Sequence, residues 1–235
     1  MAEKHYTQYY VAFLDILGFK DLVSNPETTC QDILKIYEVI EILHKRFSEI
    51  TEYMKADIKM KIMSDSICAY VETDTPDALF ALIVHCALYQ FGLSCMYPNN
   101  LVRGGITVGD MYAKGDIIFG QALTEAYLLE EKNAKVPRVI LRKKTLEHAL
   151  GKHIESAQMV LQNWVVRDDD AFYTVNYFKL FSLFGFQDKI ITMALTLIKS
   201  TVSNWLDTTI DESIRQKYLY VEKQMNKYIK EHPDA

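Results

Sequence analysis

The sequence predicts an α+β protein: an antiparallel sheet covered by helices on one side, with a mainly helical extension beyond it. Three observations carry this. Tyr10-Val-Ala-Phe-Leu-Asp15-Ile is an apolar run rich in aromatic and β-branched residues, the signature of a buried strand. Ile58, Met60 and Ile62 alternate with Lys59 and Lys61, the period of two of a half-buried strand. Between them, Ile33, Ile36, Tyr37, Ile40, Leu43, Phe47 and Ile50 recur at three- and four-residue steps, one apolar helix face. Continued along the chain, the order β-α-β-β-α-β-β-α-β suits a sheet with helical cover. Residues 1–145 form the expected core and 146–235 an extension of strands and helices packed on it.

Taken in order, the first strand ends at Asp15, and Gly18 marks a tight turn or a close backbone approach. A short helix begins at Phe19 or Lys20, its free amides suited to a polyphosphate. Pro26 and Thr28-Thr29 open the long helix. Ile58 to Tyr70 makes two strands joined at Ser64-Asp65-Ser66, where Asp is common for turn reasons alone. Asp74-Thr-Pro76-Asp77 starts a second helix, closed by Pro98-Asn99-Asn100. Its apolar run from Ala78 to Tyr97 is long enough to cross a bilayer. Gln90, Gly92 and Ser94 interrupt the run and basic flanks are missing, so a helix buried in the core or an interface is the better reading. Leu101–Val108 is a strand in which Gly104-Gly105 implies a close approach or a bulge. Gly109-Asp110 is the expected turn into Met111–Phe119, followed by a helix over Gln121–Lys132 and a short strand over Val136–Leu141. Beyond residue 145, Leu161–Val166 and Phe172–Tyr177 read as strands around a solvated turn, Asp168-Asp169-Asp170. Lys189–Leu206 and Ser213–Tyr228 read as helices.

Hydrophobic residues make up 49% of the chain, ample for a core. The formal charge of −5 offers no general attraction for nucleic acid or an anionic membrane, so an anionic ligand must be met locally. Four cysteines without CxxC spacing form neither a disulfide framework nor a zinc signature and point to a reducing cytoplasm. The N-terminus carries no signal-peptide pattern.

A carboxylate at a buried strand end is costly unless it is paired or metal-bound. Asp15 serves equally well as a cap for the next helix. If the hairpin lies beside the first strand, Asp15 and Asp65 converge at one sheet end and offer the oxygen ligands a hard cation wants. At these residues the chain resembles the class III nucleotidyl cyclases. Phe13-x-Asp15-Ile-x-Gly18-Phe resembles their first metal motif and Lys61-x-x-Ser-Asp65 their second. Arg103-Gly-Gly-Ile-Thr-Val-Gly109 is similar to the central strand and turn, and Ile118-Phe-Gly120-x-Ala-x-x-x-Ala126-x-x-x-Glu130 to the later strand and helix. Asp15-Ile-Leu-Gly-Phe, Ser64-Asp-Ser66, Arg103-Gly-Gly, Ala126-Tyr-x-x-Glu130 and Pro137-Arg138 look most like the pyrimidine nucleotide cyclases of Pycsar antiphage systems. The resemblance covers roughly residues 8–145.

That resemblance implies a ferredoxin-like βαββαβ core. It implies two divalent ions, Mn²⁺ or Mg²⁺, on Asp15, Asp65 and the backbone carbonyl of Ile16. The ribose 3′-oxygen of a nucleoside triphosphate attacks the α-phosphorus and diphosphate leaves. Amides around Leu17, Gly18, Phe19 and Lys20 cradle the phosphates, with Phe13 beside them, and Lys61 contacts the base. UTP is favoured over CTP, because lysine only donates and uracil O4 accepts. A homodimer with sites at its interface is expected, with no nucleic-acid or membrane partner.

The sequence also departs from the family. Thr124 and Leu128 stand where the purine enzymes place a transition-state asparagine and arginine. The purine-selecting acid aligns near Ile117, with Asp116 adjacent. Arg103 and Arg138 are candidates to replace the arginine, and each has an alternative role as a structural ion-pair partner. A catalytically silent cyclase-like binding domain is the competing reading. A haloacid-dehalogenase phosphatase needs a second acid where Leu17 stands, and Gly104-Gly105-Ile106 lacks the acidic continuation of a diguanylate cyclase.

Overall fold

The computed structural model describes residues 6–51, 56–96, 100–183 and 185–233. The side chains of Phe47 and Ile50, and the helix-closing Pro98-Asn99, lie outside the described residues. The chain runs β1 (Thr7–Ile16), α1 (Phe19–Ser24), α2 (Cys30–Thr51), β2 (Lys59–Met63), β3 (Ser66–Glu72) and α3 (Ala78–Met96). It continues with β4 (Val102–Lys114), β5 (Ile117–Gly120), α4 (Gln121–Asn133) and β6 (Val139–Leu141). Then come α5 (Lys143–Lys152), α6 (Ile154–Asn163), β7 (Val165–Arg167), β8 (Tyr173–Val175), α7 (Leu180–Leu183), α8 (Asp188–Thr208) and α9 (Glu212–Glu231).

The strands form one sheet in the order β2-β3-β1-β4-β6-β8-β7, with β5 folded back on β4. Gly109-Asp110 is not the turn between them: both residues pair with β1 inside an unbroken β4, and the chain reverses only after Lys114. β1 lies in the sheet's interior, antiparallel to β3 and β4. One pairing departs from the expected antiparallel pattern: β6 runs parallel to β4. Parallel neighbours need a crossover, and α4 supplies it.

Helical cover is also not confined to one side. Tyr10, Ala12, Leu14 and Ile16 of β1 pack into the large core with α2, α3 and the later helices. Tyr9, Val11 and Phe13 point the other way, onto Ala122 and Ala126 of α4. A strand buried on both faces reads as an unbroken apolar run, which explains the Tyr10–Ile16 stretch. α2 starts at a reciprocal cap, in which Asp32 N–H donates to Thr29 Oγ1 (3.3 Å) and Thr29 N–H to Asp32 Oδ2 (3.1 Å). α3 is the apolar helix of the sequence, and 83% of Ala78–Cys95 is buried inside the protein.

The extension differs most from expectation. Leu161–Val166 is not a strand: α6 runs to Asn163 and only Val165–Arg167 is extended. Ala157, Val160 and Trp164 are buried at helical spacing, and this outweighs the local strand preference of the Val-Leu pair. β8 joins the sheet through β6, so the extension continues the core's own sheet. The Asp168-Asp169-Asp170 turn lies between β7 and β8 with Asp169 and Asp170 exposed, and Asp168 and Asp170 also hold Arg138.

Candidate active site

Asp15 stands at the C-terminal end of β1 on the α4 side, in register with Ser66 of β3 and Arg103 of β4. The β2–β3 turn is docked against it, for Ile16 N–H donates to the Asp65 carbonyl at 2.9 Å. Tyr37 of α2 steadies the same turn by donating to the Ser64 carbonyl (2.7 Å). Ser64 takes a positive φ of 55°, a conformation costly for a residue other than glycine. The turn therefore brings the second acid to the first. Burial raises the Asp15 carboxyl above its ordinary range, and the nearby Asp65 charge adds to the rise. The hydrogen bond from Arg103 opposes it, as does the more distant charge of Lys217.

Arg103 is shared. Its Nε lies 2.9 Å from Asp15 Oδ2 and 2.7 Å from Glu130 Oε1. Only the Asp15 contact has hydrogen-bond geometry, and Glu130 Oε1, buried on α4, has no hydrogen-bond partner. Burial pushes the Glu130 carboxyl up to about 7 against the pull of Arg103. The terminal amino groups of Arg103 donate no hydrogen bond within the described residues. Gly105 makes this closeness feasible: a Cβ there would sit 2.7 Å from the Ala126 carbonyl and 3.0 Å from Glu130 N.

Among the described residues no group of three or more His, Cys, Asp or Glu side chains is gathered to hold a metal ion. The expected donor set is smaller, two carboxylates and the Ile16 carbonyl, the rest coming from phosphates. The Asp65 charge raises the proton affinity of Asp15 at this sheet end, and a divalent cation bound there would relieve that repulsion. The residues present fit it.

Leu17 to Lys20 is the segment expected to cradle phosphates. Gly18 adopts the left-handed conformation, φ 81°, and precedes α1 without a side-chain cap. The first-turn amides of Phe19 and Lys20 have no intrahelical acceptor. Leu17 N–H, in contrast, is already committed to the Leu101 carbonyl (2.8 Å) and is withdrawn from the cradle. Phe13 and Phe19 are core residues: Phe13 packs edge-on against Tyr127 and Phe19 against Tyr37.

Lys61 is not a lone donor. Its Nζ lies 2.7 Å from Asp116 Oδ1 in the β4–β5 turn, and this hydrogen bond raises its pKa. Arg138 is committed to the structural role: Asp168 Oδ2 (2.6 Å), Asp170 and the Asn133 carbonyl hold its guanidinium. That leaves Arg103 as the candidate for the missing cation. Thr124 is exposed and its hydroxyl donates to the Gly120 carbonyl (3.2 Å). Glu130 and Lys217 were not foreseen as site residues. Glu130 stood in the quoted motif without a role, and Lys217 lies on a helix remote in sequence, where no local pattern marks it.

No protein-family model and no curated protein matches the chain. Solved structures do. A variant of the guanylyl cyclase domain of the RhoGC fusion protein from the aquatic fungus Blastocladiella emersonii superposes with a TM-score of 0.51 at 15% identity. The match covers 72% of this chain and 94% of that one. The adenylyl cyclase CyaB from P. aeruginosa gives 0.48 at 13% identity, over 72% and 94%. The fold is that of the nucleotidyl cyclase domain.

Proposed function

We propose that this protein is a metal-dependent nucleotidyl cyclase, converting a pyrimidine nucleoside triphosphate, UTP ahead of CTP, to its 3′,5′-cyclic monophosphate and diphosphate. One observation carries the reading: Asp15 and Asp65, fifty residues apart in sequence, meet at one end of a cyclase-type sheet. Bound at Asp15, Asp65 and the Ile16 carbonyl, Mn²⁺ or Mg²⁺ would supply acidification of the ribose 3′-hydroxyl and neutralisation of the leaving diphosphate. Arg103 presents its terminal amino groups to charge developing on the α-phosphate, the task Leu128 cannot perform. The Phe19 and Lys20 amides meet the outer phosphates. Lys61 and Asp116 set a donor beside an acceptor, which complements O4 and N3–H of uracil and equally N3 and the amino group of cytosine. The pyrimidine preference and a role as second-messenger source in phage defence rest on the sequence resemblance.

The reading extends to a homodimer. Ile117, Phe119 and Tyr127 are exposed large apolar groups on the β4–β5 hairpin and α4, the elements that also carry Asp116 and Glu130. A second copy covering them would close the site on its open side.

Thr124 and Leu128 favour a second reading, a cyclase-like domain that binds nucleotide without turning it over. Incubation with each labelled nucleoside triphosphate and Mn²⁺, followed by chromatography, separates the two. Cyclic UMP or cyclic CMP is expected, and four intact substrates would leave the silent reading standing. Asp15→Asn and Asp65→Asn should each lower turnover by roughly 100-fold or more while keeping the fold. Near-normal turnover in either removes the metal assignment.

A further inference from the structure

Two carboxylates compete for one guanidinium at this site. Asp15 holds the Arg103 Nε–H, and Glu130 waits 2.7 Å away, buried and without a hydrogen bond at Oε1. A buried carboxylate oxygen that has charge contact but no hydrogen bond is unfavourable, so a positional reason for its presence is required. The protein invests in keeping it there. Gly105 carries no side chain where α4 passes, and any Cβ would push against the backbone of the turn that holds Glu130.

We propose that Glu130 is a positioning residue for metal loading, the alternative partner that draws Arg103 off Asp15 when a divalent cation arrives. This rests on the cyclase reading of the site and adds to it how the first metal ligand becomes available. With Arg103 on Asp15, the carboxylate a cation needs is already neutralised. With Arg103 on Glu130, Asp15 is released, and the Nε–H finds its second acceptor by a small shift. The guanidinium stays at the site edge in both positions, because a fork with one N–H engaged keeps its terminal amino groups for phosphate oxygens. Without Glu130 the cation and Arg103 compete for Asp15 directly.

The test is a double-mutant cycle on binding of Mn²⁺ alone, followed by loss of the free-ion electron paramagnetic resonance signal. Wild type, Glu130→Gln, Arg103→Met and the double variant are compared, with thermal melts to verify folding. Glu130→Gln should weaken Mn²⁺ binding about tenfold, and the same change on the Arg103→Met background should shift it less than about twofold. Equal weakening on both backgrounds would mean that Glu130 acts only through its own charge and would overturn the proposal. So would unchanged binding in Glu130→Gln. If Gln fails to fold at this buried position, Glu130→Leu takes its place in the cycle. The readout is independent of turnover, so wild type that binds Mn²⁺ with the expected coupling but makes no cyclic product refutes the cyclase reading and leaves the Arg103 exchange intact.

Discussion

Glu130 is the side chain in which burial and charge pull hardest against each other. Its carboxyl titrates near 7 in the folded chain against 4.5 in the unfolded one. The folded form therefore holds the proton more tightly between those values. This contribution to stability is fully present below about pH 4.5 and is lost as pH rises through 7, where a charge must be buried beside Arg103. Urea unfolding at pH 5.5 and pH 8.5 should show wild type losing on the order of 1–3 kcal/mol that Glu130→Gln does not lose. Parallel pH dependence in the two proteins would show that Glu130 is already ionised in the fold. The same residue shows the limit of reading a sequence. Asp15, Asp65 and Arg103 could be named because each sits in a short motif beside a strand or turn. The value of Glu130 depends on being sealed against Arg103 by a helix that crosses the sheet, and no local pattern encodes that seal.

Among the elements, β4 and α4 form the joint on which the site depends. Gly105→Ala would set a methyl group 2.7 Å from the Ala126 carbonyl and 2.9 Å from Leu129 Cβ. A backbone carbonyl cannot rotate aside as a side chain can, so the helix itself must move. We expect a loss of about 1–3 kcal/mol in stability. Turnover should fall further than stability, because Glu130 and the outward face of α4 move together. A fully stable and fully active Gly105→Ala protein would rule this joint out as a determinant. The glycine pair was legible in the sequence as a close approach or a bulge, but which neighbour approaches was not. The amphipathic α2 and the apolar α3 were legible in their periodicity and length. α5 and α6 were missed, because their buried positions are few and the Val-Leu pair at the end of α6 mimics a strand. The sequence leaves Arg138 two roles, and in the fold the acids of the β7–β8 turn hold it in an ion pair that no local pattern announces.

For the molecule as a whole, the apolar hairpin and α4 surface make a definite prediction about assembly. Phe119 is 47% exposed and stacks on Tyr112, so Phe119→Asp should disturb no core packing. Sedimentation should give a dimer for wild type and a monomer for the variant, with activity lost in parallel. A wild-type monomer with full activity sinks the shared-site arrangement. The order of synthesis imposes a different demand. α3 is apolar nearly all round, and part of its cover is α8, whose Ile191, Leu195 and Ile198 arrive about a hundred residues later. At about 5–20 residues per second, the nascent helix waits roughly 5–20 s without that cover. Soluble yield from chaperone-free in vitro translation should therefore fall as chain concentration enters the micromolar range, and a holdase chaperone added during synthesis should restore it. Concentration-independent yield would mean that α2 and the early strands shield the helix by themselves.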